Sequence, residues 1–322
     1  MARTPFAVAV ATATAALGAL SLIGARLLPG AEQVPDPQAV RSHIEHLIQA
    51  SGASHRPATL GLLHDAVLLA IGVGAPAYNN GDLKGCSDFY VGTAKQLLAA
   101  YPEGNAMSMP AVEGLSDLRD GLRRGGSGDD AQRRAWALRL SFDQIAVNWS
   151  LAIQHGEQLG KLGGEYFHRG DYQEAEVAYA AVVRDYDEVR GEALPAAAAA
   201  LRLSPLLHAQ ALIELGRFAP AAALVAGHND EVTEFRAVDI DLRALYGNTI
   251  DLERSLLDLE RAADEHAKDS DLRYLFGYQL WFTGSREQAQ QQFDRTLALD
   301  PRHPGATQFK RKPEAQPAPL IP

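Results

Sequence analysis

The chain has a single cysteine, Cys86, in 322 residues. No disulfide can form within it, and no cysteine follows the N-terminal apolar run at a position a lipoprotein anchor would require. Basic residues are also in deficit. Lys and Arg number 30 against 40 Asp and Glu, for a net charge of −10. That balance argues against a nucleic-acid or anionic-membrane footprint, which needs clustered cations. The dense basic runs, Lys310-Arg311-Lys312 and the arginines around Gly125, are short. Alternating apolar and polar residues of the strand type are missing throughout, so the expected class is all-α.

Enzyme signatures are missing too. Gly72-x-Gly74 lacks the third glycine and the preceding strand of a dinucleotide site. There is no Gly-Lys-Ser/Thr phosphate loop and no Gly-x-Ser-x-Gly elbow; Gly125-Gly126-Ser127-Gly128 has the wrong spacing for the latter. His43-Ile44-Glu45-His46 sets its imidazoles three residues apart rather than four, with no third ligand nearby. Neither a metal site nor a cofactor is therefore expected, and the chain reads as non-enzymatic.

What is present begins with an uncharged apolar run from Pro5 to Gly24 behind Arg3. It reads as a signal-peptide core or a short membrane anchor, and residues 1–36 as that segment plus a linker. Both choices place most of the chain outside the cytoplasm, in a periplasmic, extracellular or membrane-anchored setting. Asp36-Pro37 then marks a helix start. Helical spacing follows over Val40–Ile48, Leu60–Ile71, Asp88–Ala100 and Met109–Arg124, and again after a cap at Asp129 or Asp130. Gly72-Val73-Gly74-Ala75-Pro76 is expected to break the second helix. These segments make an expected helical domain over 37–150.

From about Gly156 a unit repeats. Leu162-Gly163-Gly164-Glu165-Tyr166-Phe167-His168-Arg169-Gly170-Asp171-Tyr172 returns imperfectly as Phe276-Gly277-Tyr278-Gln279-Leu280-Trp281-Phe282-Thr283-Gly284-Ser285-Arg286. Weaker copies surround Ala209, Leu212, Gly216 and Phe218, and Leu242, Gly247, Leu252 and Leu256. The turn glycines 170, 216, 247 and 284 stand 46, 31 and 37 residues apart. Small residues such as Gly163 and Ala175 let two helices approach, and Tyr166, Tyr172 and Tyr179 fill the space around them. The region 151–312 resembles the tetratricopeptide-repeat family. That resemblance implies a stacked α-solenoid of three to four helical hairpins that binds a protein or peptide. In its register, helix-A residues Phe167, Leu206, Gln210, Ile213, Ala237, Asp241, Tyr274, Tyr278 and Trp281 line the concave groove. The groove lacks the paired Lys and Asn with which some members clamp a terminal carboxylate. A Pro-rich tail, 313–322, follows.

A second cluster lies earlier. Gly74-Ala75-Pro76-Ala77-Tyr78-Asn79-Asn80-Gly81-Asp82 precedes Cys86 and Tyr90. It resembles a segment of exported bacterial proteins of unassigned function, and Trp136-Ala137-Leu138-Arg139 with Phe142-Asp143 falls in the same domain. One account is structural: a turn at 78–81, Asp82 as a helix cap, and Cys86 packed as a small apolar residue. The other is a small-ligand or redox site built on Tyr78, Asn79, Cys86 and Tyr90, with the thiol near a helix N-terminus. The sequence thus leads to a non-enzymatic envelope adaptor that holds a protein or peptide in its groove. The alternative is a small-molecule or redox domain carried on a repeat scaffold. Self-association through the repeats is a third possibility.

Overall fold

The computed structural model describes residues 35–53, 58–102, 108–126, 128–192, 194, 198–228, 232 and 241–310. The apolar run 5–24, Ala237 and the tail 313–322 lie outside these residues. The described residues are helical, with no strand among them, so the chain is all-α. They divide into two compact units. The first comprises residues up to 155 together with 184–198; the second comprises 156–183 together with 199 onward.

The first unit contains α1 (Pro37–Ala53), α2 (Leu60–Asn79), α3 (Leu83–Ala100), α4 (Met109–Gly125) and the front of α5 (Ala131–Arg169). Each start is fixed by a side-chain oxygen that satisfies an otherwise unpaired helix N–H. Asp36 accepts from Gln38 N (3.1 Å), Thr59 from Leu62 N (3.3 Å) and Ser108 from Ala111 N (3.3 Å). Asp82 accepts from Gly85 N (2.8 Å) and Asp130 from Arg133 N (2.9 Å). α2 is the described helix long and apolar enough to cross a membrane, but Leu60, Leu63, Ala66, Val67 and Ala70 are fully buried against the unit's own core.

Two sequence expectations are corrected here. α2 does not break at 72–76; it runs through Pro76 to Asn79. A proline so near the end of a helix removes only the bond to the Gly72 carbonyl. Nor does the domain end at residue 150. α5 continues unbroken to Arg169, and residues 184–198, from the back half of α6 (Tyr172–Val189) onward, belong to the first unit. Trp149 Nε1 donates to the Val189 carbonyl at 2.9 Å. Glu188 accepts from Leu60 N and from Ser108 Oγ, both at 2.7 Å, and so meets the starts of α2 and α4. The Val189 and Arg190 carbonyls lie so close over Gly61 that no side chain fits there.

The second unit holds the end of α5, the front of α6, α7 (Ala199–Arg202), α8 (Ser204–Glu214), α9 (Phe218–Gly227), α10 (Thr249–Glu265), α11 (Ser270–Phe282), α12 (Arg286–Leu299) and α13 (Pro304–Lys310). Three helical hairpins, α5–α6, α8–α9 and α11–α12, share one turn. Gly170, Gly216 and Gly284 adopt φ of 85°, 67° and 92°. Each N–H returns to the carbonyl three residues back, and the next N–H reaches five back: Asp171 to Tyr166 (2.9 Å), Arg217 to Leu212 (2.8 Å), Ser285 to Leu280 (2.8 Å). This is a helix C-cap closed by a left-handed glycine. The α2–α3 hairpin of the first unit repeats it, with Gly81 at φ 87° and Asp82 N on the Ala77 carbonyl at 2.9 Å.

The third expected repeat, around Gly247, shows no glycine-closed hairpin turn among the described residues. Gly247 instead lies against the His168 carbonyl, with a 3₁₀ turn (Leu242–Leu245) before it and α10 after. α10 packs against α8 and α11, the first helices of two hairpins. Its Leu252 is buried with Phe167 of the other, and its Leu259 and Ala263 share a core with Ile213 and Tyr274.

Candidate functional site

The groove does not survive as an open surface. Phe167, Leu206, Ile213, Tyr274 and Tyr278 are all buried in the second unit's cores, and Gln210 is fully buried under the Tyr246 hydroxyl (3.2 Å). The cause is α10, whose Leu252, Leu256 and Leu259 recur at helical spacing and lie over the row the repeats leave open. From the other side Gly305 and Phe309 of α13 meet Tyr274, and Phe309 meets Trp281 at 5.1 Å between rings. Trp281 is half-buried, and Asp241 is exposed, capping the 3₁₀ turn by accepting from Arg243 N at 3.0 Å.

The second cluster is gathered. Tyr78 and Asn79 at the end of α2, and Cys86 and Tyr90 on α3, line one pocket of about 130 Å³ in the first unit. α5 closes it with Ala135, Trp136 and Arg139, and Ala75 completes the lining. Arg134 Nε on Ser87 Oγ (3.1 Å) fixes the start of α5 to α3. Gly74 admits the Tyr90 ring, which would collide with any Cβ there, and Tyr90 packs edge-on to Phe142 at 5.0 Å.

The rim is aromatic. Trp136 Nε1 donates to the Tyr78 hydroxyl at 2.9 Å, and the rings meet edge to face, 5.8 Å apart at 78°. Trp136 is nonetheless 52% exposed, an unusual state for an indole. Arg139 contributes the one formal charge on the lining, held by Asp143, which accepts from its Nε at 2.8 Å. The Tyr90 hydroxyl interacts with both Arg139 and the Cys86 thiol. Burial pushes the Tyr90 hydroxyl up to about 12 and pushes the Cys86 thiol above its ordinary value as well.

That direction weighs against the redox alternative. A reactive cysteine needs a stabilised thiolate, whereas Cys86 is 1% exposed and held as a thiol by burial. Its position explains why. Cys86 stands five residues beyond the turn glycine, where the other hairpins carry Ala175, Ala221 and Ala289, each fully buried. It is the small residue at a helix crossing.

Comparison with protein-family models, with curated proteins and with solved structures returns no match.

The sequence placed Trp136 and Arg139 in the right domain but not at the site. The signal was there: an exposed-register tryptophan with an arginine three residues on shares a helix face with it. No three His, Cys, Asp or Glu residues converge on a metal position among the described residues. His43 bonds Glu192 at 2.8 Å, and His64 stacks on Trp149 at 3.8 Å.

One further surface stands out. Trp136, Leu140, Val147 and Leu151 are 52%, 57%, 45% and 55% exposed and share one face of α5.

Proposed function

We propose that this is a non-enzymatic binding protein of the cell envelope. Its first helical unit takes a small molecule in the pocket between α2, α3 and α5, and helical hairpins of tetratricopeptide type frame the chain. The observation that carries this reading is the convergence of Tyr78, Asn79, Tyr90, Trp136 and Arg139 on one open pocket beside a half-exposed indole. Binding sites are concave, mostly apolar and furnished with a few placed polar groups, and this pocket has that composition. The apolar run Pro5–Gly24 supports export or anchoring as part of the same proposal. A fragment screen read on the Trp136 indole N–H signal tests it, because a bound ligand must disturb the Tyr78 hydrogen bond. A screen of small polar and aromatic fragments that leaves that signal unmoved overturns it.

A second reading, contact with another protein chain, is favoured by the exposed row on α5. The row is symmetric about its midpoint, so an antiparallel second copy sets Trp136 on the partner's Leu151 and Leu140 on the partner's Val147. Sedimentation tests it: a dimer abolished by L140E with L151E supports this reading, and a monomeric wild type ends it.

A further inference from the structure

We propose that the pocket selects a single-ring carboxylate, a small ring bearing one anionic head. This rests on the pocket being a binding site at all, and it goes on to name the ligand. Size comes first. A cavity of about 130 Å³ is close to the roughly 150 Å³ that accommodates one benzene molecule in another protein. The enclosed part therefore holds one ring, and the open mouth leaves the remainder of any longer ligand outside. Shape comes next. Trp136 and Tyr78 meet edge to face at 78°, which leaves a corner of two perpendicular aromatic walls, and a flat ring packs into such a corner by stacking on one wall and meeting the other edge-on.

Charge sets the head group. Arg139 is the one charged residue on the lining. Asp143 holds its Nε at 2.8 Å and thereby fixes the direction of the guanidinium fork. The terminal nitrogens are donors that accept no proton and favour a carboxylate. The other acid near the thiol, Asp82, is engaged by Gly85 N at 2.8 Å as the cap of α3. The Tyr90 hydroxyl, beside Arg139, adds a second polar contact at the same end. A ring in the Trp136–Tyr78 corner places its carboxylate within the Arg139 and Tyr90 end of the lining. A cationic ligand would face the guanidinium.

Two sources carry this chemistry: a free aromatic acid, or a peptide ending in phenylalanine. The test titrates full-length protein, labelled with ¹⁵N, with benzoate, acetyl-glycyl-phenylalanine and benzyl alcohol. The readout is the Trp136 indole signal, assigned by its loss in Trp136→Phe. Benzoate or the peptide acid binds about tenfold or more tighter than benzyl alcohol, the scale of one charge-assisted contact. Arg139→Gln brings the acid down to the level of the alcohol. Arg139→Lys, which keeps a charge opposite Asp143, retains part of the preference and guards against a folding defect in the first variant. Preference for benzoate identifies a free acid; preference for the peptide identifies a chain terminus. Alcohol binding as tight as acid binding overturns the ligand class and leaves the pocket reading intact. No shift with any of the three overturns both.

Discussion

Gly277 lies against the ring of Phe293, sixteen residues on, so closely that a Cβ there would stand 2.7 Å from Cε1. Gly163 bears the same relation to Tyr179, at 2.8 Å, and Gly74 to Tyr90. In each case the glycine sits seven residues before a turn glycine of positive φ. One device, a flat ring laid on bare backbone, therefore sets the crossing in three hairpins.

Gly277→Ala should lower stability by about 1–3 kcal/mol, because the added methyl displaces a buried ring in a packed core. Gly160→Ala is the control. Its Cβ meets nothing within 4 Å, so the change should be neutral or stabilising by up to about 1 kcal/mol through helix propensity. Urea unfolding followed by circular dichroism distinguishes the two.

Leu259→Ala on α10 should cost about 2–5 kcal/mol, since Leu259 is fully buried in the core that holds Ile213 and Tyr274. It should also raise the binding of a hydrophobic dye at sub-denaturing urea, as the row beneath α10 is uncovered. An unchanged dye signal would mean that α10 does not cover that row.

Cys86 should resist iodoacetamide at neutral pH in the folded protein and react fully in denaturant. The thiol is 1% exposed, and burial holds its proton on. Mass spectrometry before and after denaturation measures this. Rapid native labelling would restore the redox alternative.

Glu188 gives a pH prediction. Burial raises its carboxyl above the ordinary 4.5, against the opposing pull of hydrogen bonds from Ser108 and Leu60 N. The folded state therefore binds this proton more tightly than the unfolded state. Stability from that difference is fully present below 4.5 and is lost as the pH rises through the raised value. Glu188→Gln should remove this slope. The unfolding midpoint of wild type should fall relative to the variant between acid and neutral pH, then run parallel to it.

How much of this was legible in the sequence follows from where the signal is local. The turns at Gly170, Gly216 and Gly284 were readable because a glycine, a small residue and an apolar partner fall at fixed offsets. The turn at 78–81 with its Asp82 cap is legible too, but its kinship with the other hairpins is not, because Gly72–Pro76 looks like a helix stop and hides the register running from Gly74 to Tyr90. The leucine spacing of α10 suggests a repeat. That spacing is common to any amphipathic helix, and what separates the cases is the turn: Gly170, Gly216 and Gly284 take a positive φ, whereas Gly247 does not and lies against the His168 carbonyl. Phe167, Leu206, Gln210, Ile213, Tyr274, Tyr278 and Trp281 do lie on the first helices of the hairpins, but the sequence does not show that α10 covers this row, since that helix comes from a different stretch of chain; Asp241 instead caps the 3₁₀ turn. Half of the pocket was visible as the cluster from Tyr78 to Tyr90. Trp136 and Arg139 join it only through the packing of α5 on α3.

The most direct test is a crystal of the full chain soaked with 4-bromobenzoate and measured at the bromine edge. The account predicts anomalous density against the Trp136 indole in the first unit, with the carboxylate turned toward Arg139. A well-ordered pocket that stays free of bromine density at saturating ligand, with Tyr78 and Trp136 unmoved, would contradict it.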